Sequence, residues 1–127
     1  MEVHRAMGPG YLEAVYQECL EIEFGLRKIP FNSKPKIQSY YKNRELKKYY
    51  FPDFLVYNEI VLEIKAEKSL TKVDEAQIIN SLKNSRKKIG LLLNFGESSL
   101  KNKRFVYEVV YIYTYEPQKP YFHPLLE

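Results

Sequence analysis

Asp53, Glu63 and Lys65 sit inside the apolar run from Phe51 to Ala66. In an extended Val61-Leu62-Glu63-Ile64-Lys65 the side chains alternate, which sets Glu63 and Lys65 on one face about 6 to 7 Å apart and Leu62 and Ile64 on the other. Asp53 joins that face under one condition. A two-residue turn at Asn58-Glu59 would set Phe54 opposite Glu63 and turn Asp53 away, whereas a register shifted by one, through a three-residue loop or a bulge, sets Asp53 across from Glu63. Two carboxylates about 5 Å apart repel unless a cation lies between them, and a hard oxygen site of this kind suits Mg²⁺ or Mn²⁺. A lysine one step along the strand can orient or activate an attacking water and offset charge growing on a phosphoryl oxygen. The plainer alternative is a solvated edge for Glu-Ile-Lys and a turn residue for Asp after Pro, since the spacing Pro-Asp, nine residues, Glu-x-Lys arises often by chance.

These residues need elements to hold them. After Gly8-Pro9-Gly10 the apolar residues Leu12, Val15, Tyr16, Cys19 and Leu20 fall at i, i+3, i+4, i+7 and i+8, which predicts a helix to about Arg27 with Glu13 beside its stripe and Tyr16 and Gln17 on the face of Glu13. Pro30 and Pro35 break any helix, and Ile37 to Tyr41 and Leu46 to Phe51 read as a hairpin across Lys42-Asn43-Arg44. Phe54 to Tyr57 and Ile60 to Ala66 read as two more strands. Thr71 is the expected N-cap of a second helix reaching about Lys87, with Asp74 in its first turn and an apolar side of Val73, Ala76, Ile79 or Asn80, and Leu82 or Lys83. Ile89 to Phe95 reads as a buried central strand ended by Gly96. From Phe105 the chain alternates again, with Tyr107, Val109, Tyr111, Tyr113 and Tyr115 on one face; such a strand closes a sheet edge or pairs with a second copy as a homodimer. Pro117, Pro120 and Pro124 then predict an extended tail without regular structure.

Composition bounds the reading. With 127 residues, 45% of them hydrophobic, the chain fits a single domain over 1–127. One cysteine, Cys19, excludes an internal disulfide framework, and its place on an apolar helix face points to an inert thiol. No apolar run approaches the roughly 18 residues needed to span a bilayer and there is no signal-peptide pattern, so the expectation is a cytoplasmic protein without a membrane partner. The net charge of +4 permits nucleic-acid binding without requiring it. Basic residues cluster at Lys34, Lys36, Lys42, Arg44, Lys47 and Lys48, at Lys83, Arg86, Lys87 and Lys88, and at Lys101, Lys103 and Arg104, as contacts to a phosphate backbone would require. His4 and His123 have no partners at metal spacing and read as non-ligands.

Asp53, Glu63 and Lys65 in this spacing resemble the PD-(D/E)xK nuclease superfamily, and Gly10-Tyr11-Leu12-Glu13-Ala14-Val15-Tyr16 matches the signature of its GxxExxY branch. The resemblance extends through Val3-His4-Arg5, Tyr41-Lys42, Asp53 to Val56, Glu63 to Ala66, Glu75 to Asn80 and Gly90 to Gly96. It implies a restriction-endonuclease-like α/β core, a mixed central β-sheet flanked by α-helices, with a metal-dependent phosphodiester-cleaving centre. Asp53, Glu63 and Glu13 would be metal ligands for Mg²⁺ or Mn²⁺, Lys65 the water-orienting base or electrostatic stabiliser, and Gln77 a helical residue contacting the site. The chain departs from the pattern at Ser81, where related sequences often have tyrosine, and in a missing or short helix before His4. The expected function is hydrolysis of DNA, or RNA; the alternative is a module that keeps the fold and binds nucleic acid or protein without cutting.

Overall fold

Gly8 and Gly10 make the first corner of the chain, both at left-handed φ (74° and 106°), where a side chain would be strained. In the computed structural model, which describes residues 2–110 and 121–126 with side chains for 2–107, they separate a short helix α1 (Glu2–Met7) from α2 (Glu13–Leu26). The Tyr16 hydroxyl donates to the Gly8 carbonyl at 2.6 Å and closes the corner. The buried stripe of α2 is Tyr16, Leu20 and Phe24, at i, i+4 and i+8. Leu12, expected to begin that stripe, is exposed because it is the N-cap: its backbone is extended (φ −70°, ψ 154°) and its side chain lies outside the helix.

The remaining elements are β1 (Phe31–Ser33), β2 (Ile37–Tyr41), β3 (Arg44–Tyr50), β4 (Phe54–Val56), β5 (Ile60–Lys65), α3 (Lys72–Ser85), β6 (Ile89–Asn94), β7 (Lys101–Val110) and β8 (Tyr121–Leu126). A mixed six-stranded sheet has the order β1-β4-β5-β6-β7-β8, while β2 and β3 form a separate hairpin. Among the described strands only β5 and β6 run parallel, and α3 is the crossover between them. A parallel pair needs such a crossover, which is why an antiparallel ladder becomes mixed at this point.

The two faces of the sheet carry separate cores. Phe54, Val56, Leu62, Ile64 and Leu93 pack with Tyr16, Leu20 and Phe24 of α2. Leu55, Val61 and Leu92 face the other way and pack with Ile37 of the hairpin and Ile78 and Leu82 of α3. Gly90 lies beneath α3: a Cβ there would come within 3.1 Å of Ile78 and Leu82, so the helix sits close on the strand because no side chain intervenes.

Three expectations need correction. The buried face of α3 is Asp74, Ile78, Ser81, Leu82 and Ser85, and Val73 is exposed. Small hydroxyl residues can be buried there because each satisfies itself within the helix, Ser81 Oγ donating to the Gln77 carbonyl at 2.8 Å and Ser85 Oγ to that of Leu82 at 3.4 Å. The strand expected from Phe105 begins at Lys101; Lys101 to Arg104 are exposed polar residues paired with β6, so they carry no apolar signal. Pro124 lies inside β8, which is compatible with strand structure because β8 is the outermost strand and one of its sides needs no ladder partner. That strand covers the edge of β7 on which pairing with a second copy was argued. Tyr111, Tyr113, Tyr115 and Pro117 lie outside the described residues.

Candidate active site

The β4–β5 connection decides whether the acids meet. Phe54 pairs with Leu62, Leu55 with Val61 and Val56 with Ile60, so the loop is the three residues Tyr57, Asn58 and Glu59. Tyr57 and Asn58 take left-handed φ of 53° and 58°, and the Glu59 amide donates to the Val56 carbonyl at 3.1 Å. Continued by one residue, this register sets Asp53 across from Glu63, which is the condition drawn from the sequence. Since Leu62 and Ile64 pack on the α2 side, Glu63 and Lys65 face the side covered by α3 and the hairpin. The polar face of β5 is therefore half-buried rather than a solvated edge.

Both carboxylate oxygens and the main-chain oxygen of Asp53 are held. Its Oδ2 accepts from the Ile64 amide at 2.7 Å and its Oδ1 from Lys34 Nζ at 2.6 Å. Its main-chain oxygen accepts from Gln17 Nε2 at 2.8 Å and from the Lys34 amide at 2.9 Å. Glu63 receives the Tyr50 hydroxyl. Burial, followed by the charge and proximity of Asp53, raises the Glu63 carboxyl to about 7, with the Tyr50 hydroxyl and Lys65 opposing. The Tyr50 phenol is pushed far up by burial and then by the Glu63 charge.

Lys65 Nζ donates to Gln77 Oε1 at 3.2 Å and lies 3.7 Å from Asp74 Oδ1. Asp74 is fixed by a capping box, its Oδ2 accepting from the Thr71 amide at 2.9 Å while Thr71 Oγ1 accepts from the Asp74 amide at 3.2 Å. Its carboxyl is nearly buried, and although burial opposes ionisation, bonds from Glu67 and Thr71 and the charge of Lys65 hold it below the usual range. Glu67 sets its carboxyl against that of Asp74, which raises it, and Glu67 Oε1 is buried without a hydrogen-bond partner among the described residues.

At the end of β6, fully buried Asn94 ties down the chain that follows Lys65. Its Oδ1 accepts from the amides of Glu67 (3.0 Å) and Gly96 (3.1 Å), and its Nδ2 donates to the Glu67 carbonyl and to Glu97, each at 2.9 Å. Gly96 is required there, because a Cβ would lie 2.2 Å from the Glu67 carbonyl oxygen.

Tyr50, Phe51, Glu63, Lys65, Asp74, Gln77, Asn80 and Ser81 line a cleft of about 300 Å³. The structure thus gathers Asp53, Glu63, Lys65 and Gln77. Glu13 stands apart. It is exposed in the first turn of α2, the helix on the opposite face of the sheet, and its charge acts on Glu67. Gln17, one turn further along α2, is the residue that reaches Asp53. Among the described residues no three His, Cys, Asp or Glu side chains are grouped to hold a metal ion. Asp53 and Glu63 nonetheless fit a magnesium site, which takes one or two carboxylates and completes its shell with water and substrate phosphate. His4 Nε2 lies 2.8 Å from the Glu97 carbonyl. Tyr16 is fully buried and stacked on Phe95 at 4.5 Å, and Cys19 is half-buried against the same core.

Sequence reasoning missed Tyr50, Lys34, Asp74 as an active-site neighbour, Glu67 and Asn94. Asp74 had a signal: a capping box opening the helix after the Glu-x-Lys strand aims that helix start at the strand end. Tyr50 and Lys34 come from the hairpin side, whose packing over β5 has no local sequence mark.

A mixed sheet with one parallel pair, a crossover helix and an acid, acid, lysine constellation beside that helix defines a restriction-endonuclease-like nuclease fold. Residues 1–105 match the PD-(D/E)XK nuclease superfamily, and the chain belongs to it. Searches of curated proteins and of solved structures return no match. Among the described residues no helix is long and apolar enough to cross a membrane.

Proposed function

We propose that this chain is a divalent-metal-dependent phosphodiesterase acting on nucleic acid, and that it belongs to the GxxExxY branch on the match at Gly10, Glu13 and Tyr16. The observation that carries the proposal is the three-residue β4–β5 loop, which brings Asp53 opposite Glu63 on the face shared with Lys65. Asp53 and Glu63 would hold Mg²⁺ or Mn²⁺. When bound, such an ion lowers the pKa of a coordinated water and neutralises phosphoryl charge. Holding it would require Glu63 to ionise against burial and the charge of Asp53, which both favour its neutral form. Lys65, oriented by Gln77 and Asp74, directs its ammonium into the cleft, where it positions the attacking water and meets charge growing on a non-bridging phosphoryl oxygen. Tyr50 fixes the Glu63 carboxylate from above.

The test is Mn²⁺- and Mg²⁺-dependent cleavage of single-stranded, duplex and branched DNA and of RNA, with Lys65→Ala as control. Wild-type product that falls by about 10²- to 10³-fold in the variant supports the enzyme. Tight binding with no metal-dependent product on any substrate supports the silent module instead. Calorimetric titration of Mn²⁺ gives a readout independent of turnover: Asp53→Asn and Glu63→Gln abolish the heat if these two acids are the ligands.

A further inference from the structure

The β2–β3 hairpin lies outside the six-stranded sheet and is held by its inner side, where Ile37 and Ser39 are buried in the region packed on α3. Its outer side is bare, and β3 is exposed from Arg44 through Tyr49. From Lys34 to Tyr50 the chain carries six cations, Lys34, Lys36, Lys42, Arg44, Lys47 and Lys48, against one carboxylate, Glu45. The net charge of the whole chain is +4, so this ribbon alone accounts for the positive excess.

Charge alone would suit any phosphate backbone, but large rings stand among these cations. Tyr41 is 62% exposed, Tyr49 42% and Phe51 58%. Lys36 Nζ lies 3.9 Å from the centre of the Tyr49 ring, Lys42 Nζ 5.5 Å from that of Tyr41. Phe51 lines the cleft of Glu63 and Lys65, and Tyr50, between Phe51 and Tyr49, bonds Glu63. Tyr49 and Phe51 therefore lead from the hairpin to the lip of the cleft, while Tyr41 stands at the hairpin's turn. A duplex keeps its base faces stacked inside, whereas an unpaired strand offers them, and base-on-ring stacking in a basic groove is the chemistry of single-strand binding. A second copy of this chain is a poor occupant, because two such ribbons would repel.

We propose that the β2–β3 hairpin is a stacking platform for single-stranded nucleic acid, its bases resting on Tyr49 and Phe51 and its phosphates meeting Lys42, Lys47 and Lys48. It rests on the nuclease reading only for where the strand goes next, into the cleft.

The experiment measures binding without metal, in the Lys65→Ala background so that nothing is cut, by anisotropy of a fluorescent oligothymidylate and of a duplex of equal length. The single strand binds more tightly than the duplex; Tyr49→Ala and Phe51→Ala each weaken it by about five- to a hundredfold and leave duplex binding unchanged. Tyr49→Phe, which keeps the ring and the fold, restores wild-type affinity. Duplex binding of equal strength that ignores ring removal overturns the proposal in favour of a backbone-only surface. Failure of both probes to bind overturns it too, as does a concentration-dependent dimer dissolved by Tyr41→Ala. Because no cleavage is read, an inactive enzyme leaves the result intact, and an active one whose hairpin variants bind normally refutes the platform alone.

Discussion

At the scale of single residues, the site is a contest for Asp53. Lys34 supplies the positive charge that its Oδ1 faces, and a divalent ion bound as proposed would compete with that ammonium. The lysine side chain is 59% exposed, so the pair is worth no more than an ordinary surface ion pair, up to about 1 kcal/mol. Lys34→Ala is expected to tighten Mn²⁺ binding by up to about fivefold, measured by calorimetry, since that is what 1 kcal/mol amounts to. Glu63 gives a pH signature. Its carboxyl titrates at about 7 in the folded protein and at 4.5 unfolded, so between these values the folded state binds more protons. In metal-free protein its contribution to stability is fully present below about 4.5 and is lost as pH rises through 7. Urea denaturation at intervals across that window will show the decline, and Glu63→Gln will flatten it.

At the scale of elements, two connections keep β5 in place. Asn94 serves four partners at the β5–α3 junction, and its removal strands half-buried amides of Glu67 and Gly96 and the carbonyl of Glu67. Asn94→Ala should cost about 2 to 4 kcal/mol, read as a fall in the urea midpoint at unchanged slope. The β4–β5 loop contains a bulky residue at positive φ, Tyr57, which is more than half exposed. Tyr57→Gly should therefore raise stability by up to about 1 kcal/mol while leaving the Asp53–Glu63 register intact. Much of this scale was legible beforehand. The alternation through Val61 to Lys65 marked a two-faced strand, and it also showed that Asp53 could join Glu63 only across an odd loop. The length of that loop was not legible, because Tyr57-Asn58-Glu59 lacks the glycine that ordinarily announces left-handed turns. The face of α3 was misjudged because its buried serines look polar in sequence and become buriable only once their hydroxyls bond their own helix. Strand β1, three residues between Pro30 and Lys34, is too short for any periodicity to show.

At the scale of the whole molecule, charge is segregated. Acids gather at Asp53, Glu63, Glu67 and Asp74, and the hairpin beside them is strongly basic. For single strands log affinity falls with log salt by about 0.7 per phosphate neutralised, so replacing Lys42, Lys47 and Lys48 by Gln should reduce the magnitude of that slope by roughly 2. Titrating the same oligothymidylate over a range of NaCl concentrations checks this. Equal slopes for the triple variant and the parent would place the phosphate contacts elsewhere, on the Lys83 to Lys88 or Lys101 to Arg104 clusters.

The division of β5 between its two sides has an evolutionary consequence. Leu62 and Ile64 anchor the strand in the α2 core, so the reverse side can exchange Glu63 or Lys65 for other groups without loosening the foundation. Loss of chemistry and loss of folding are thereby uncoupled within one six-residue segment, which would let descendants of such a chain fall catalytically silent while remaining intact as folded proteins.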